Sequence, residues 1–374
     1  MSTQRTGYPK STVSDMVGKT ITVSGLIDPD TLGKCLMHEH LFCDLTWWNG
    51  PKHNAPGSDF GMWDEELTLE NLHLARARKP IKDNFLLTDE PLTIAEVLKF
   101  SSSGGSTIVD VTNIGLGRDP LALRRVADAT GLNIVMGAGW YQKANHPPDM
   151  DQRTPEDLAD EIIRDITVGV GDTGIRSGII GEVGINGNPV TLNEEKSLRA
   201  TAWASRTTGA AISLHYGGMG REKFEVAALL GEEGADLTRT IFGHSGWHAG
   251  DVPFLIELLN LGVYVQFDQL GRPVVPLARE SADPILVRVP PDAATDVLVA
   301  EAIPRLIEAG FEDRILLSHD VCFKIFLTAY GGTGYSYVLD KFMPYMRTLG
   351  VTEEQVDKIL VQNPKRVLTL VEPR

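Results

Sequence analysis

The sequence is poor in cysteine, in basic relative to acidic residues, and in long apolar runs. Its three cysteines, Cys35, Cys43 and Cys322, form no CxxC pair, which excludes a disulfide framework and favours a reducing compartment. A net charge of −15 argues against nucleic acid or an anionic membrane as a partner. No segment approaches the ~18 apolar residues of a membrane span, and the N-terminus lacks the apolar part of a secretory signal. We therefore predict a cytoplasmic protein that acts on a small molecule.

Also missing is the GxGxxG phosphate loop that a doubly wound dinucleotide-binding sheet needs after its first strand. Instead, short β-branched runs alternate with longer amphipathic stretches, which is the pattern of repeated βα units. Eight such units close most naturally into a (β/α)₈ TIM barrel of the α/β class. We expect an N-terminal tail at 1–18 and one barrel domain at 19–374. The eight predicted strands are KCLMHEH at 34–40, TIVDVT at 107–112, NIVMGAG at 133–139, SGIIGEVG at 177–184, AISLHY at 211–216, TIFGHS at 240–245, VYVQFD at 263–268 and ILLSHD at 315–320.

Two connections are long for a compact domain. Residues 41–92, with Trp47, Trp48 and Trp63, follow the first strand, and a proline-rich segment at 271–292 follows the seventh. Loops of this length usually cover a functional site or are disordered. The tryptophans favour a cover, although packing against the outer helices explains them as well.

Ionisable side chains recur where the predicted strands end, which is the catalytic face of a barrel. His38 and His40 face the same side of their strand because side chains alternate, while Glu39 faces the other. A single histidine at a strand end is usually a hydrogen-bonded structural residue, but six ionisable groups around one mouth need another explanation. The six are His38, His40, Glu182, His215, His244 and Asp320.

This cluster predicts bound metal. Burying imidazoles and carboxylates around one cavity is unfavourable unless a cation neutralises and coordinates them. The ligand types suit zinc first, and also manganese, iron or cobalt. Six ligands are too many for one catalytic zinc with an open position, so we expect two divalent cations. Glu182 is the only strand-end glutamate and is the expected bridge.

Five motifs carry a resemblance to a known family: LMHEH at 36–40, GIIGEVG at 178–184, SLHYGG at 213–218, FGHSG at 242–246 and LLSHD at 316–320. In order and spacing they resemble the phosphotriesterase family of the amidohydrolase superfamily, and most of all its phosphotriesterase-related branch. The resemblance implies a metal-dependent hydrolase and, as a family-level expectation, a homodimer. It further implies that His38, His40 and Asp320 hold a more buried metal, that His215 and His244 hold a more exposed one, and that Glu182 bridges them.

The sequence departs from the founding members of that family at two positions. Glu182 replaces a carboxylated lysine as the bridge. After the seventh strand, Gln269 stands where phosphotriesterases place a proton-relaying histidine and related lactonases an arginine. A glutamine can bind substrate but cannot relay a proton, which argues against efficient phosphotriester cleavage and against cleavage of quorum-signal lactones.

The resulting hypothesis is a hydrolase in which a metal-bridging hydroxide attacks a carboxyl-level carbon of an amide, lactone or ester. Asp320 would carry the proton to the leaving group. Tyr141 would bond the carbonyl or leaving group, unless it only packs in its loop. Arg118, Arg221 and Arg272 each follow a strand and are candidates to bind an anionic group on the substrate, although surface solvation is the more usual role.

Three other readings remain open. One is organophosphate hydrolysis, and a second is a catalytically silent metal- or ligand-binding barrel. The third is serine hydrolysis at GHSG, residues 243–246, although this segment lacks the full G-x-S-x-G frame of a nucleophile elbow.

Overall fold

The computed structural model describes residues 13–49, 61–186, 189–216, 220–272 and 296–374. Eight strands form one sheet in which each sequential neighbour pairs in parallel. The predicted order of strands is therefore confirmed, as is the TIM barrel. The strands are β1 (Cys35–Glu39), β2 (Thr107–Asp110), β3 (Asn133–Ala138), β4 (Ile179–Ile185), β5 (Ile212–Tyr216), β6 (Thr240–Phe242), β7 (Tyr264–Phe267) and β8 (Ile315–Leu317).

The barrel closes between β8 and β1 through side chains as well as backbone. The Asp320 N–H donates to the His38 carbonyl at 3.1 Å, and the His38 N–H donates to the Ser318 hydroxyl at 2.9 Å. Glu39 points out of the barrel and accepts hydrogen bonds from Ser318 Oγ and from the backbone N–H groups of His319 and Val321. The first strand is thus locked to the segment after the last one, where Asp320 lies.

Helices connect the strands, as the amphipathic stretches predict. Several begin with an acidic or hydroxyl residue that caps free backbone N–H groups: Asp89 accepts from Leu92, and Thr154 and Thr191 form capping boxes. The main helices are α1 (Glu90–Ser102), α2 (Pro120–Thr130), α3 (Pro155–Thr167), α4 (Leu192–Thr208), α5 (Glu222–Glu232), α6 (Val252–Leu259), α7 (Asp296–Glu308), α8 (Met343–Thr348), α9 (Glu353–Asp357) and α10 (Asn363–Leu368).

Shorter elements complete the described chain. Thr20–Thr22 and Gly25–Ile27 form an antiparallel hairpin, and Cys43–Asp44 pairs with Leu86–Leu87. Short helices lie at Thr46–Asn49 and Leu72–Arg76, and π-helical turns at Val338–Phe342 and Lys358–Gln362 precede α8 and α10.

Two apolar layers hold the barrel together. Inside it, residues from most of the strands form one buried cluster, which Leu32, Val367 and Leu368 extend. Outside it, the strands pack against the surrounding helices in a larger cluster. The helix α10 thus packs against the inner layer, which leaves the rim at the other ends of the strands for polar side chains.

The predicted N-terminal tail is only partly described. Residues 1–12 lie outside the described residues, whereas Val13 and Met16 are buried and the Gly18 N–H bonds to the Leu370 carbonyl. The division of the chain at residue 18 stays a prediction. Within the described residues, none of the helices has the length and apolar character needed to traverse a bilayer.

Candidate metal centre

The structure brings all six predicted metal ligands together at the C-terminal rim of the barrel. Candidate ligand atoms of His38, His244 and Asp268 lie within 4.8 Å of one another, and the predicted ligands form two further groups of the same spacing that share Glu182. One group is His38, His40 and Glu182, and the other is Glu182, His215 and His244. Asp320 joins the first group, since its Oδ1 lies 3.4 Å from His40 Nε2. Two adjacent cation sites could be built from these side chains.

Glu182 lies between the two groups and uses both of its oxygens. Its Oε1 lies 3.3 Å from His40 Nε2, whereas its Oε2 lies 3.2 Å from His38 Nε2 and 2.9 Å from His215 Nδ1. The side chain is almost wholly buried. A carboxylate in this position could bridge two cations.

His38 supplies the test of whether the donor set fits a metal. The ring is completely buried, yet neither of its nitrogens makes a hydrogen bond with any described residue. Nε2 faces Glu182 and Nδ1 faces Asp268 at 3.3 Å, in each case too poorly aligned for a hydrogen bond. A buried imidazole without hydrogen-bond partners is costly unless it coordinates a cation. The site therefore fits a pair of divalent cations.

Asp268 is a site residue that the sequence reasoning missed. It directly follows β7, is completely buried, and accepts hydrogen bonds from the backbone N–H and the Nδ1 of His244, the latter at 2.9 Å. A carboxylate behind a ligating histidine fixes its ring and tautomer. The sequence did contain a signal for Asp268, because the predicted strand VYVQFD ends in this ionisable residue and the ends of the strands form the catalytic face.

Two of the candidate ligands have an unusual backbone. His244 and Asp320 both have φ of 53°, in the left-handed region that non-glycine residues rarely adopt. His244 is held there by Asp268, and Asp320 by its N–H bond to His38. Such strain persists where the surrounding structure enforces it, commonly at functional sites.

Tyr141 lies at the edge of the site, as predicted. Its hydroxyl is 3.1 Å from the ring nitrogens of His215, and the neighbouring Gln142 places its amide nitrogen 2.7 Å from His215 Nε2. Burial raises the pKa of Tyr141 well above its ordinary value, and the Glu182 carboxylate adds to this. The phenol is therefore a neutral hydrogen-bond donor at ordinary pH. Gln142 gave no signal in the sequence, since it is uncharged and follows the strand at a distance.

The aromatic loop after β1 reaches the site at one point. Trp47 contacts Tyr141 with ring centroids 6.1 Å apart, whereas Trp48 stacks on Phe323 at 5.7 Å. Trp63 contacts Phe85, away from the ligands. Part of this segment, residues 50–60, lies outside the described residues, as does most of the proline-rich segment at 271–292. The structure thus places Trp47 beside the site. That the two long segments cover the site otherwise stays a prediction.

The charges of the site compensate one another. Burial alone would lower the pKa of His38, but the Glu182 and Asp268 carboxylates outweigh it and raise that pKa to about 9. Burial likewise opposes the charge on Asp320, yet Arg272, His40 and the other imidazoles hold the pKa of that carboxyl far below its ordinary value. The carboxylates therefore stay ionised, which is the form that coordinates a cation.

Two minor expectations can be settled from the geometry. Ser245, the serine of GHSG, is fully buried and donates to the Phe242 carbonyl at 2.8 Å, so the serine-hydrolase reading is wrong. Gln269 lies at the rim with its amide nitrogen 3.5 Å from His244 Nδ1. It is thus placed beside the ligands, where the sequence comparison put it.

Comparison with known proteins agrees with this geometry. A family model for the phosphotriesterase family matches residues 18–368. The chain belongs to the phosphotriesterase family. It is 36% identical over 359 residues to an N-acetyltaurine hydrolase of Danio rerio, covering 96% of this chain and 99% of that one. It is also 36% identical to a phosphotriesterase-related protein of Nematostella vectensis, covering 94% of this chain and 99% of the relative.

A solved structure extends the likeness to three dimensions. The resiniferatoxin-binding protein of Rhodobacter sphaeroides superposes with a TM-score of 0.86 at 37% identity, covering 94% of this chain and 95% of that one. The predicted membership of the family and of its phosphotriesterase-related branch is confirmed. The chain is accordingly an enzyme of the hydrolase class.

Proposed function

We propose that this chain is a binuclear metal-dependent hydrolase that cleaves the amide bond of a small N-acylated amine. The observation that carries the proposal is the position of Glu182, whose two oxygens face different histidines of one buried cluster. The relative named N-acetyltaurine hydrolase supports an amide as the bond that is cleaved.

Six side chains would hold the cations. His38, His40 and Asp320 would bind the more buried one, and His215 and His244 the one nearer the solvent, with Glu182 shared. The partial exposure of His215, against the complete burial of His38, supports this division. Divalent cations held by these residues would supply Lewis acidity and would lower the pKa of a water to about 7, which would make hydroxide available for attack on the carbonyl carbon. Zinc is the first choice from the ligand types.

The remaining groups would orient the substrate and move protons. The Asp320 carboxylate, which lies beside His40, would accept a proton and deliver it to the departing amine nitrogen. The Tyr141 hydroxyl, near His215, would donate a hydrogen bond to the carbonyl oxygen as negative charge develops on it. Gln142 would hold the His215 ring against rotation.

The residue at position 269 favours an amide over a phosphotriester as the bond that is cleaved. Gln269 is beside His244, and a glutamine offers hydrogen bonds but no titratable proton. Organophosphate cleavage would then be weak at best. The small-molecule substrate and the cytoplasmic location are expectations from the sequence, and the homodimer is an expectation from the family.

The test is a substrate panel on the metal-loaded protein. N-acetyltaurine, uncharged N-alkylacetamides, a simple lactone and paraoxon would be compared by kcat/KM, with His38→Ala as the inactive control. We expect an amide to be the best substrate and paraoxon to be slower by about 100-fold or more. A higher kcat/KM on paraoxon or the lactone would overturn the proposal. Equal rates for the wild type and His38→Ala would favour the catalytically silent barrel.

A further inference from the structure

Three arginines follow barrel strands, and the structure separates their roles. Arg118 is buried and fully engaged, 2.9 Å from the Asp165 carboxylate and 3.1 Å from the Gly137 carbonyl. Arg221 is 69% exposed and paired with Glu257 on the outer surface. Only Arg272 reaches the metal centre. Of the three candidates for binding an anionic group, the geometry therefore leaves one.

Arg272 is fixed at the rim by one edge of its guanidinium. Nη2 donates to the Asp320 carbonyl at 2.7 Å and to its carboxylate, and Nε points to the His319 carbonyl at 3.4 Å. The guanidinium also lies over the Phe326 ring, 4.9 Å from its centroid. These contacts hold the group in one orientation, so that little further ordering is needed when a ligand binds.

The other edge of the guanidinium carries Nη1. Nη1 makes no hydrogen bond within the described part of the chain, and the side chain is 25% exposed. A guanidinium N–H donates a charge-assisted hydrogen bond to a carboxylate or a sulfonate. A group of that kind could bind Nη1 while Nη2 stays on Asp320.

The surrounding charge makes such a contact selective. Glu182, Asp268 and Asp320 are carboxylates that repel an anion, and the nearby Lys324 is already paired with Asp83 at 2.6 Å. Apart from the metals, Arg272 thus offers a substrate a positive charge that directly contacts a candidate ligand, Asp320. Because it contacts Asp320, it lies on the side where the leaving amine receives its proton.

We infer that Arg272 determines substrate specificity by binding an anionic group, a sulfonate or a carboxylate, on the amine portion of the amide. This inference rests on the proposed function and narrows its substrate class to N-acyl amines with an acidic tail. The acyl group would then lie towards Tyr141 and Trp47, where the wall is aromatic.

The experiment compares Arg272→Gln and Arg272→Lys with Arg221→Gln, a control that removes one positive charge from the outer surface. The substrates are N-acetyltaurine, N-acetyl-β-alanine and the uncharged N-propylacetamide. Because Arg272 also contacts Asp320, Arg272→Gln should slow all three substrates, but we expect kcat/KM for the acidic substrates to fall about 10- to 100-fold further than kcat/KM for N-propylacetamide, through a higher KM. Arg272→Lys should recover part of the loss, and Arg221→Gln should match the wild type. The acidic substrate with the larger loss of kcat/KM shows whether Arg272 prefers a sulfonate or a carboxylate.

A binding measurement separates this inference from the proposed function. Propane-1-sulfonate would be titrated calorimetrically into each metal-loaded protein, with the metal content measured in parallel. Weaker sulfonate binding to Arg272→Gln at unchanged metal content would support the inference. If at the same time no amide were cleaved, the proposed function would be refuted and only the inference would stand. Equal losses on charged and uncharged amides, or equal sulfonate binding by wild type and variant, would overturn it and leave Arg272 as a support for Asp320.

Discussion

Asp268 and His244 are joined through both the backbone and the ring of the histidine. The carboxylate accepts from the His244 N–H at 2.9 Å and from Nδ1 at 2.9 Å, and both residues are buried. This leaves Nε2 of His244 directed at His215, 2.9 Å from its Nδ1. One aspartate thus fixes an unusual backbone conformation and a ring orientation in the candidate metal centre.

Replacing Asp268 should therefore weaken metal binding, because His244 loses the group that orients it. We expect Asp268→Asn to lower the affinity for the second cation by about 10- to 100-fold, the usual effect of losing a carboxylate behind a ligating histidine. Competition with a chromogenic chelator measures this affinity. Asp172→Asn, at an exposed site, is the matched control. An unchanged affinity in Asp268→Asn would show that the backbone alone orients His244.

The role of Tyr141 can be separated from mere packing. If its hydroxyl stabilises charge on the carbonyl oxygen, Tyr141→Phe should lower kcat by about 10- to 100-fold and leave KM nearly unchanged. Steady-state kinetics on the best amide gives both constants. Tyr345→Phe, on the exposed surface, should behave as the wild type. A purely packing role predicts that Tyr141→Phe is as active as the parent.

Glu39 should matter for stability rather than chemistry. Its carboxylate accepts from Ser318 Oγ at 2.7 Å, from the His319 N–H at 2.8 Å and from the Val321 N–H at 3.0 Å. In Glu39→Gln one oxygen becomes an NH₂ group that faces other donors, which should lower the free energy of unfolding by about 3 kcal/mol or more. Denaturant unfolding measures the change, with the exposed Glu354→Gln as control. A loss below about 1 kcal/mol would contradict this account of how the barrel closes.

Lys223 should make stability depend on pH. Burial lowers its pKa to about 7, although Asp268 and Glu222 act in the opposite direction, and its ammonium faces the Tyr216 ring at 4.4 Å. The unfolded chain holds this proton up to about pH 10. Below about pH 7 both states are charged and the fold bears the full cost of the buried charge, which fades as the pH rises from about 7 to about 10.

Lys223→Met removes that cost. The free energy of unfolding of the variant should exceed that of the wild type most near pH 6. This difference should decline steadily towards pH 10, about where the lysine of the unfolded chain also loses its charge. Denaturant midpoints across this range give the trend, and the exposed Lys341→Met should show none. A difference that does not vary with pH would mean that Lys223 keeps an ordinary pKa in the folded protein.

The sequence was sufficient for the strand order and for the convergence of the six ligand candidates. Both follow from local pattern and from one topological rule, since the carboxyl ends of parallel strands in a closed barrel meet at one rim. His38 and Asp320 are 282 positions apart in the chain and yet adjacent for this reason.

What could not be read from the sequence depends on contacts between distant segments. Nothing local distinguishes Arg272 from Arg221, because the difference lies in which neighbour, Asp320 or Glu257, each one meets. Gln142 carries no charge to mark it. The left-handed backbone of His244 likewise depends on Asp268, 24 residues further on. Asp268 itself could have been predicted, because it is an ionisable residue at the end of a predicted strand.

The most direct test of the central claim is the metal content of the wild type and of Glu182→Gln, determined by elemental analysis after exposure to a divalent cation and removal of the excess. If Glu182 joins two sites, the wild type should retain two cations per chain, and Glu182→Gln should retain at most one with hydrolysis lost. A wild type that retains no cation, or a Glu182→Gln that retains two and still turns over, would contradict the account.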